Sequence, residues 1–183
     1  MRFVTPICAA LFAALSSMAF AAPSFTEKDV VNFIDAVQKL EAVGDKYPDL
    51  DLENQFSGPD AMATMIDKDG NFQVFERILE LTKGNQAFHN DVAAAVKSSG
   101  FSSLDSFATK ADDISMVFMA LNISQSDRDE MAQMTPEMMQ MIPPQMKPQI
   151  EMALKLFEAT ANVSEEEKAL VRPHLKDMEK AFN

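Results

Sequence analysis

The sequence lacks most of the residues on which common catalytic and metal-binding motifs depend. It has no tryptophan, one tyrosine, two histidines, five glycines and a single cysteine. Glycine is too rare for phosphate-cradling loops, and there is no Gly-x-Ser-x-Gly and no His-Glu-x-x-His. We therefore predict that the protein is not an enzyme and uses no cofactor. A pair of carboxylates that cleaves sugars stays open, because Asp and Glu are plentiful.

The first residues of the sequence predict export. Arg2 precedes an apolar run, and Ala19 and Ala21 are the small residues that signal peptidase reads. We therefore predict a signal peptide at residues 1–21, a mature domain at residues 22–183 and a periplasmic location, with secretion less favoured. No later apolar run reaches the length of a membrane span, which predicts a soluble mature chain without stable membrane insertion.

The charge balance is acidic. Asp and Glu number 28 against 16 Lys and Arg, which gives a net charge of −12, and the predicted cleavage removes one further positive charge at Arg2. Such a chain repels phosphate backbones and anionic lipid headgroups, so nucleic-acid binding and membrane docking are disfavoured. A cationic partner fits better. The cysteine, Cys8, lies in the predicted signal, so the mature domain has no thiol and no disulfide.

Apolar residues recur at helical spacing along most of the chain, and no useful alternating strand pattern interrupts them. We predict an all-α, single-domain bundle of seven to nine helices, several of them short and interrupted by proline. The longest apolar stripe runs from Leu104 to Leu121. The predicted helices begin near Thr26, Pro59, Asn71, Asn85, Ser103, Ser126, Thr135, Pro144 and Ser164, with a loop at 45–57 and a bend near Pro173.

A methionine cluster is the least usual feature, since seven of the 14 methionines lie between positions 131 and 152. Thioethers are soft ligands that suit Cu(I). They also fill irregular cores or line adaptable grooves. Pro136 interrupts the cluster, and no His or Cys lies within it. Core, groove and copper site all stay open: the candidate copper ligands are Met131, Met134, Met138 and Met141, and the candidate partner-binding residues are Met138, Met139, Met141 and Met146.

One turn resembles the start of an EF-hand calcium loop, because Asp67, Asp69 and Asn71 occupy its positions 1, 3 and 5. Phe72 then stands where the loop needs glycine, and Ile78 where it needs a bidentate Glu. The alternative is a turn between two helices in which Asn71 caps the second. Calcium binding at this turn stays open.

The two histidines are far apart in sequence. His89 lies beside a predicted inward-facing stripe. His174 is predicted to be half-exposed and paired with Asp177, and Met178 one turn away would be its partner in a metal site.

The stretch Ser99-Gly100-Phe101-Ser102-Ser103-Leu104-Asp105-Ser106-Phe107, followed by Ala111-Asp112-Asp113-Ile114, resembles a pattern in uncharacterised exported all-helical proteins of proteobacteria. Those proteins also begin with a signal peptide and end in a Met- and Gln-rich helical region. The resemblance covers about residues 26–180 and implies a helical fold without implying an activity. We therefore expect a non-enzymatic periplasmic binding or interaction protein. Its Met- and Phe-rich C-terminal region would receive a protein, peptide or apolar ligand, and copper handling through methionines is the alternative.

Overall fold

The computed structural model describes residues 23–50, 66–67, 71–144 and 146–182. These residues form a packed all-α bundle, which confirms the predicted fold class. Within them the one bridge between extended residues joins Ile66 and Phe72. The predicted signal peptide and most of the predicted helix at 59–66 lie outside the described residues. The described helices are α1 (Glu27–Gly44), α2 (Val74–Thr82), α3 (Gln86–Ser98), α4 (Leu104–Asn122), α5 (Gln125–Ala132), α6 (Pro136–Met141), α7 (Lys147–Ala161), α8 (Glu165–Val171) and α9 (Leu175–Ala181).

Helix α4 is the centre of the bundle and packs against α1, α2, α3, α7 and α8. The middle of its apolar stripe is buried as predicted, with Ala111 and Ile114 fully shielded from solvent, and the stripe is half-buried at Leu104, Phe118 and Leu121. The Phe107 ring meets the edge of Phe75 at 5.5 Å and that of Phe101 at 5.2 Å between centroids. These edge-to-face contacts build the aromatic core between α4 and the elements around it.

The predicted helix starts are confirmed where the capping side chain lies directly before the helix in the sequence. Thr26 and Asp29 form a capping box at α1, and Ser164 and Glu167 form one at α8. The Ser103 and Thr135 hydroxyls each accept an N–H bond at the start of their helices. At α5 the predicted cap is wrong by two residues, because Ser124 with Asp127 forms the capping box and Ser126 lies inside the helix.

The start of α2 differs from the prediction. The helix begins at Val74 behind Gln73, whose side chain makes no capping bond within the described structure. Asn71, the predicted cap, instead donates from its backbone N–H to the Asp67 carboxylate at 2.9 Å. The prediction was wrong because Asn71 pairs within its own turn.

Two helix ends show why glycine and proline stand where they do. Gly100 follows α3 with a φ of +98°, and its N–H and that of Phe101 bond to the last carbonyls of α3. Pro173 lies in the 3₁₀ turn Arg172–His174, which separates α8 from α9 and confirms the predicted bend.

Helix α7 begins at Lys147, three residues later than predicted. None of the described helices has the length and apolar character needed to cross a membrane.

Candidate functional site

An apolar cavity lies among α1, α2, α3, α4 and Phe182, the residue that follows α9. Its volume is about 530 Å³, which is within the range of small-molecule sites. Its walls are formed almost entirely by hydrocarbon, and six aromatic rings contribute to them: Phe72, Phe75, Phe88, Phe107, Phe118 and Phe182.

Helical spacing explains how α1 contributes to this cavity. Val37, Leu40 and Gly44 are three and four residues apart, so they follow one another along one face of α1 and all line the cavity. Gly44 ends the helix, and a Cβ added there would meet no atom within 4 Å. The missing side chain therefore leaves open space at one end of the lining.

The rim of the cavity lies beside Glu41 and Phe182, because these are the lining side chains that are exposed. The Phe182 ring lies 5.5 Å from the Phe118 ring and 5.9 Å from the Phe33 ring. Glu41 is the one charged residue among the described residues that line the cavity. The interior is therefore neutral, and the rim carries a negative charge.

Ser115 is a polar residue within the otherwise apolar wall of the cavity. It lies on α4, is 7% exposed, and lines the cavity beside Phe118 and Met119. Among the buried side-chain oxygens and nitrogens of the described residues, its Oγ is the one without a hydrogen-bond partner. A buried hydroxyl without a partner costs about 1–3 kcal/mol, so its presence there requires an explanation.

One turn earlier on α4, Asp112 supplies the cap that α2 lacks. Its Oδ1 accepts from the backbone N–H of Phe75 at 2.9 Å, and its Oδ2 from that of Glu76 at 3.3 Å. Asp112 is 3% exposed. Burial raises the pKa of this carboxyl from 3.8 to about 7, although the backbone N–H groups act in the opposite direction.

A second, polar cleft of about 400 Å³ lies between α4 and α7 and contains Asp112, Asp113, Glu158 and Glu167. Three of these carboxylates already have partners. Asp112 caps α2, Asp113 accepts from the Ser24 hydroxyl, and Glu167 closes the capping box with Ser164. Burial raises the pKa of Asp113 as well. The arrangement therefore uses these side chains as structural acceptors.

The two histidines have separate partners. His89 Nδ1 lies 2.7 Å from the Thr82 hydroxyl, which itself donates to the Leu79 carbonyl at 2.7 Å. Thr82 is 1% exposed, so its hydroxyl is closed to substrates. His174 lies 3.3 Å from Glu27, so the predicted pairing with Asp177 is wrong; Asp177 pairs with Lys180.

The methionine cluster is divided among several elements. Met131 is half-buried in α5, Met134 is half-buried in the link to α6, and Met139 is half-buried in α6. Met138 and Met141 on α6 and Met146 before α7 are exposed, Met141 by 85%. The helix face proposed for copper ligands does not continue across the break, because Thr135 starts a new helix. Copper binding stays a prediction from the sequence.

The turn predicted for calcium is partly described. Asp67 and Asn71 are joined by three hydrogen bonds of 2.9 Å, two from Asn71 to the Asp67 carboxylate and one between their backbones. The described residues contain no cluster of three or more His, Cys, Asp or Glu side chains that could hold a metal ion. Asp69 lies outside the described residues.

Three residues of the site were not predicted as functional: Ser115, Asp112 and Phe182. Ser115 had a detectable signal, because it follows Ala111 by one turn and so interrupts the apolar stripe of α4 with a hydroxyl. Asp112 likewise places a carboxylate next to that stripe. Phe182 is a single aromatic residue near the end of the chain, and no spacing rule connects it to α1 or α4.

Comparisons of the chain with protein-family models, with curated proteins and with solved structures gave no significant match.

Proposed function

We propose that this chain is a non-enzymatic binding protein that, after export to the periplasm, holds a small apolar molecule in the cavity among α1 to α4. The observation that carries the proposal is a cavity of about 530 Å³ whose walls are almost entirely hydrocarbon. A cavity of that size that opens to solvent leaves hydrocarbon in contact with water, whereas a ligand removes that apolar surface from water. Export is supported by the sequence of residues 1–21.

The binding test uses the mature chain and the neutral fluorescent probe N-phenyl-1-naphthylamine. We expect saturable one-to-one binding with an increase in fluorescence. Gly44→Leu fills the open space at the end of α1 and weakens binding at least tenfold. The matched control is Gly84→Leu, which also adds a side chain at a helix end but away from the cavity.

A second pair guards against misfolding of the glycine variant. Val37→Phe enlarges a lining residue, whereas Val31→Phe enlarges an exposed residue of the same helix. Circular dichroism verifies that each variant is folded. Absence of saturable probe binding to the parent chain, or equal binding by both members of both folded pairs, contradicts the proposal.

A second candidate function concerns the methionine segment formed by Met138, Met141 and Met146. We propose that this segment binds a basic amphipathic peptide. Its three thioethers are exposed, and the neighbouring α5 exposes Asp127, Asp129 and Glu130. Flexible apolar side chains beside negative charge suit a cationic helix.

Leucine and glutamine variants distinguish this peptide surface from the copper alternative. Replacing Met138, Met141 and Met146 with leucine keeps an apolar surface, whereas replacing them with glutamine removes it. Peptide binding that survives leucine and fails with glutamine supports the surface. Replacing Met134, Met138 and Met141 with leucine removes three of the four candidate copper ligands, so Cu(I) binding that competes with a chelator and fails in that variant supports copper handling. The parent chain binding neither refutes both.

A further inference from the structure

Building on the proposed cavity function, we infer that the ligand is a neutral aliphatic molecule whose single hydroxyl or carbonyl oxygen hydrogen-bonds to Ser115 Oγ.

The Ser115 hydroxyl indicates which polar group the ligand carries. Ser115 lies in the wall of the apolar cavity, and its Oγ is shielded from solvent and lacks a hydrogen-bond partner among the described residues. A serine hydroxyl both donates and accepts, so it pairs with an alcohol or a carbonyl group. Its side chain rotates among three staggered positions, which allows the Oγ to turn toward a ligand in the cavity. The ligand therefore supplies the bond that the protein leaves unmade.

The volume of the cavity limits the size of the ligand. The cavity of about 530 Å³ is within the range of small-molecule sites and is open at its rim, so the ligand is a small molecule. The walls offer carbon over nearly all of their area, so one polar group is the most that the interior can satisfy.

The charge at the rim of the cavity indicates the charge of the ligand. Glu41 at the rim is the one charged residue among the described residues of the lining, and the whole chain carries a net charge of −12. An anionic headgroup would meet negative charge at the rim and no cation among the described residues that line the cavity. A carboxylate is therefore disfavoured, and a neutral oxygen is favoured.

The test measures displacement of N-phenyl-1-naphthylamine from the mature chain by decane, 1-decanol, decanoate and decylamine. We expect 1-decanol to bind about five- to tenfold more tightly than decane, which corresponds to one hydrogen bond. Decanoate is expected to bind most weakly. Decylamine binding more tightly than 1-decanol would overturn the inference, because it would place the headgroup at Glu41.

The variants then assign the preference to a residue. Ser115→Ala is expected to abolish the advantage of 1-decanol over decane, and Ser115→Thr is expected to retain it. Ser106→Ala is the matched control, because Ser106 is on the same helix but does not line the cavity. An undiminished 1-decanol advantage in folded Ser115→Ala would overturn the inference, because a group other than the Ser115 hydroxyl would then bind the alcohol oxygen.

These outcomes separate the two proposals. Probe binding that is lost in the cavity-filling variants but shows no preference for 1-decanol over decane overturns the inference about Ser115 and leaves the cavity function standing. Absence of probe binding overturns the cavity function, and the inference falls with it.

Discussion

The Asp112 carboxylate accepts a hydrogen bond from the backbone N–H of Phe75, 37 positions earlier in the chain, at 2.9 Å. Helix α2 has no side-chain cap of its own among the described residues, so a side chain of α4 performs that role. The negative end of this contact also faces the positive end of the α2 dipole. Because α2 and α4 both line the apolar cavity, this bond fixes two of its walls relative to each other.

The first prediction concerns pH. Burial raises the pKa of Asp112 from 3.8 to about 7. Between these values the native state retains a proton that the unfolded chain has released, so stability falls as the pH rises from about 4 to about 7. A difference of three pKa units sets an upper limit of about 4 kcal/mol. Asp112→Asn is expected to reduce this dependence in urea unfolding measured across the window, and Asp113, whose pKa burial also raises, contributes the remainder.

Two comparisons make the pH result interpretable. Asp105→Asn is the matched control, because it removes an exposed carboxylate from the first turn of the same helix. The Ser124 hydroxyl lowers the pKa of Asp127, whose stabilising effect is therefore lost only as the pH falls below about 4. An unaltered slope in folded Asp112→Asn would show that another group carries the dependence.

Local chemistry explains which parts of the fold could be predicted from the sequence. Thr26, Thr135 and Ser164 cap helices that begin within three residues of them, so their roles follow from short-range spacing. The start of α2 could not be predicted in this way. Its cap comes from Asp112, a contact that exists only after α2 has packed on α4.

The candidate site was less predictable than the fold for a related reason. A cavity is the space that packed side chains leave unfilled. The periodicity of apolar residues predicts which side chains face the core, but not how closely those side chains pack against one another. Ser115 was visible as a polar break in an apolar stripe, but its lack of a partner depends on the positions of all its neighbours. The methionines were proposed as site residues from the composition of the sequence. Composition indicates that their thioethers are soft ligands, but not whether the side chains are exposed.

The second prediction concerns the end of α3. Gly100 has a φ of +98°, and an added Cβ would lie 2.8 Å from Nδ2 of Asn32. Gly100→Ala is therefore expected to cost about 1–2 kcal/mol for the left-handed backbone, with a further loss from the contact. Adding Asn32→Ala relieves the contact but not the backbone, so a double-mutant cycle by urea unfolding recovers only part of the loss. Full recovery would contradict a backbone contribution.

The third prediction concerns the aromatic core. Phe107 is 1% exposed and contacts the rings of Phe33, Phe75 and Phe101. Phe107→Ala is expected to lower the free energy of unfolding by about 3–5 kcal/mol, because it removes transfer energy and leaves a cavity. Phe157→Ala, which truncates a half-buried ring on α7, is expected to cost less. Equal losses at the two positions would argue against this location of the core.

The last prediction concerns the rim of the cavity. Phe182 is 46% exposed, lines the cavity and contacts the rings of Phe33 and Phe118. Removing a ring from the rim widens the passage, so both association and dissociation of N-phenyl-1-naphthylamine are expected to accelerate in Phe182→Ala, as stopped-flow fluorescence would show. The half-exposed ring contributes only about 1–2 kcal/mol to stability, so the variant remains folded.

Comparison with Phe157→Ala separates a rim effect from a general loosening of the bundle. Phe157 is not among the residues that line the cavity, so its truncation is expected to leave both rate constants unchanged. If the two variants change the rates equally, the probe reaches the cavity through fluctuations of the whole bundle. If only Phe182→Ala changes them, the passage lies beside the C-terminal ring, and the affinity change then reports how far the ring also contacts the ligand.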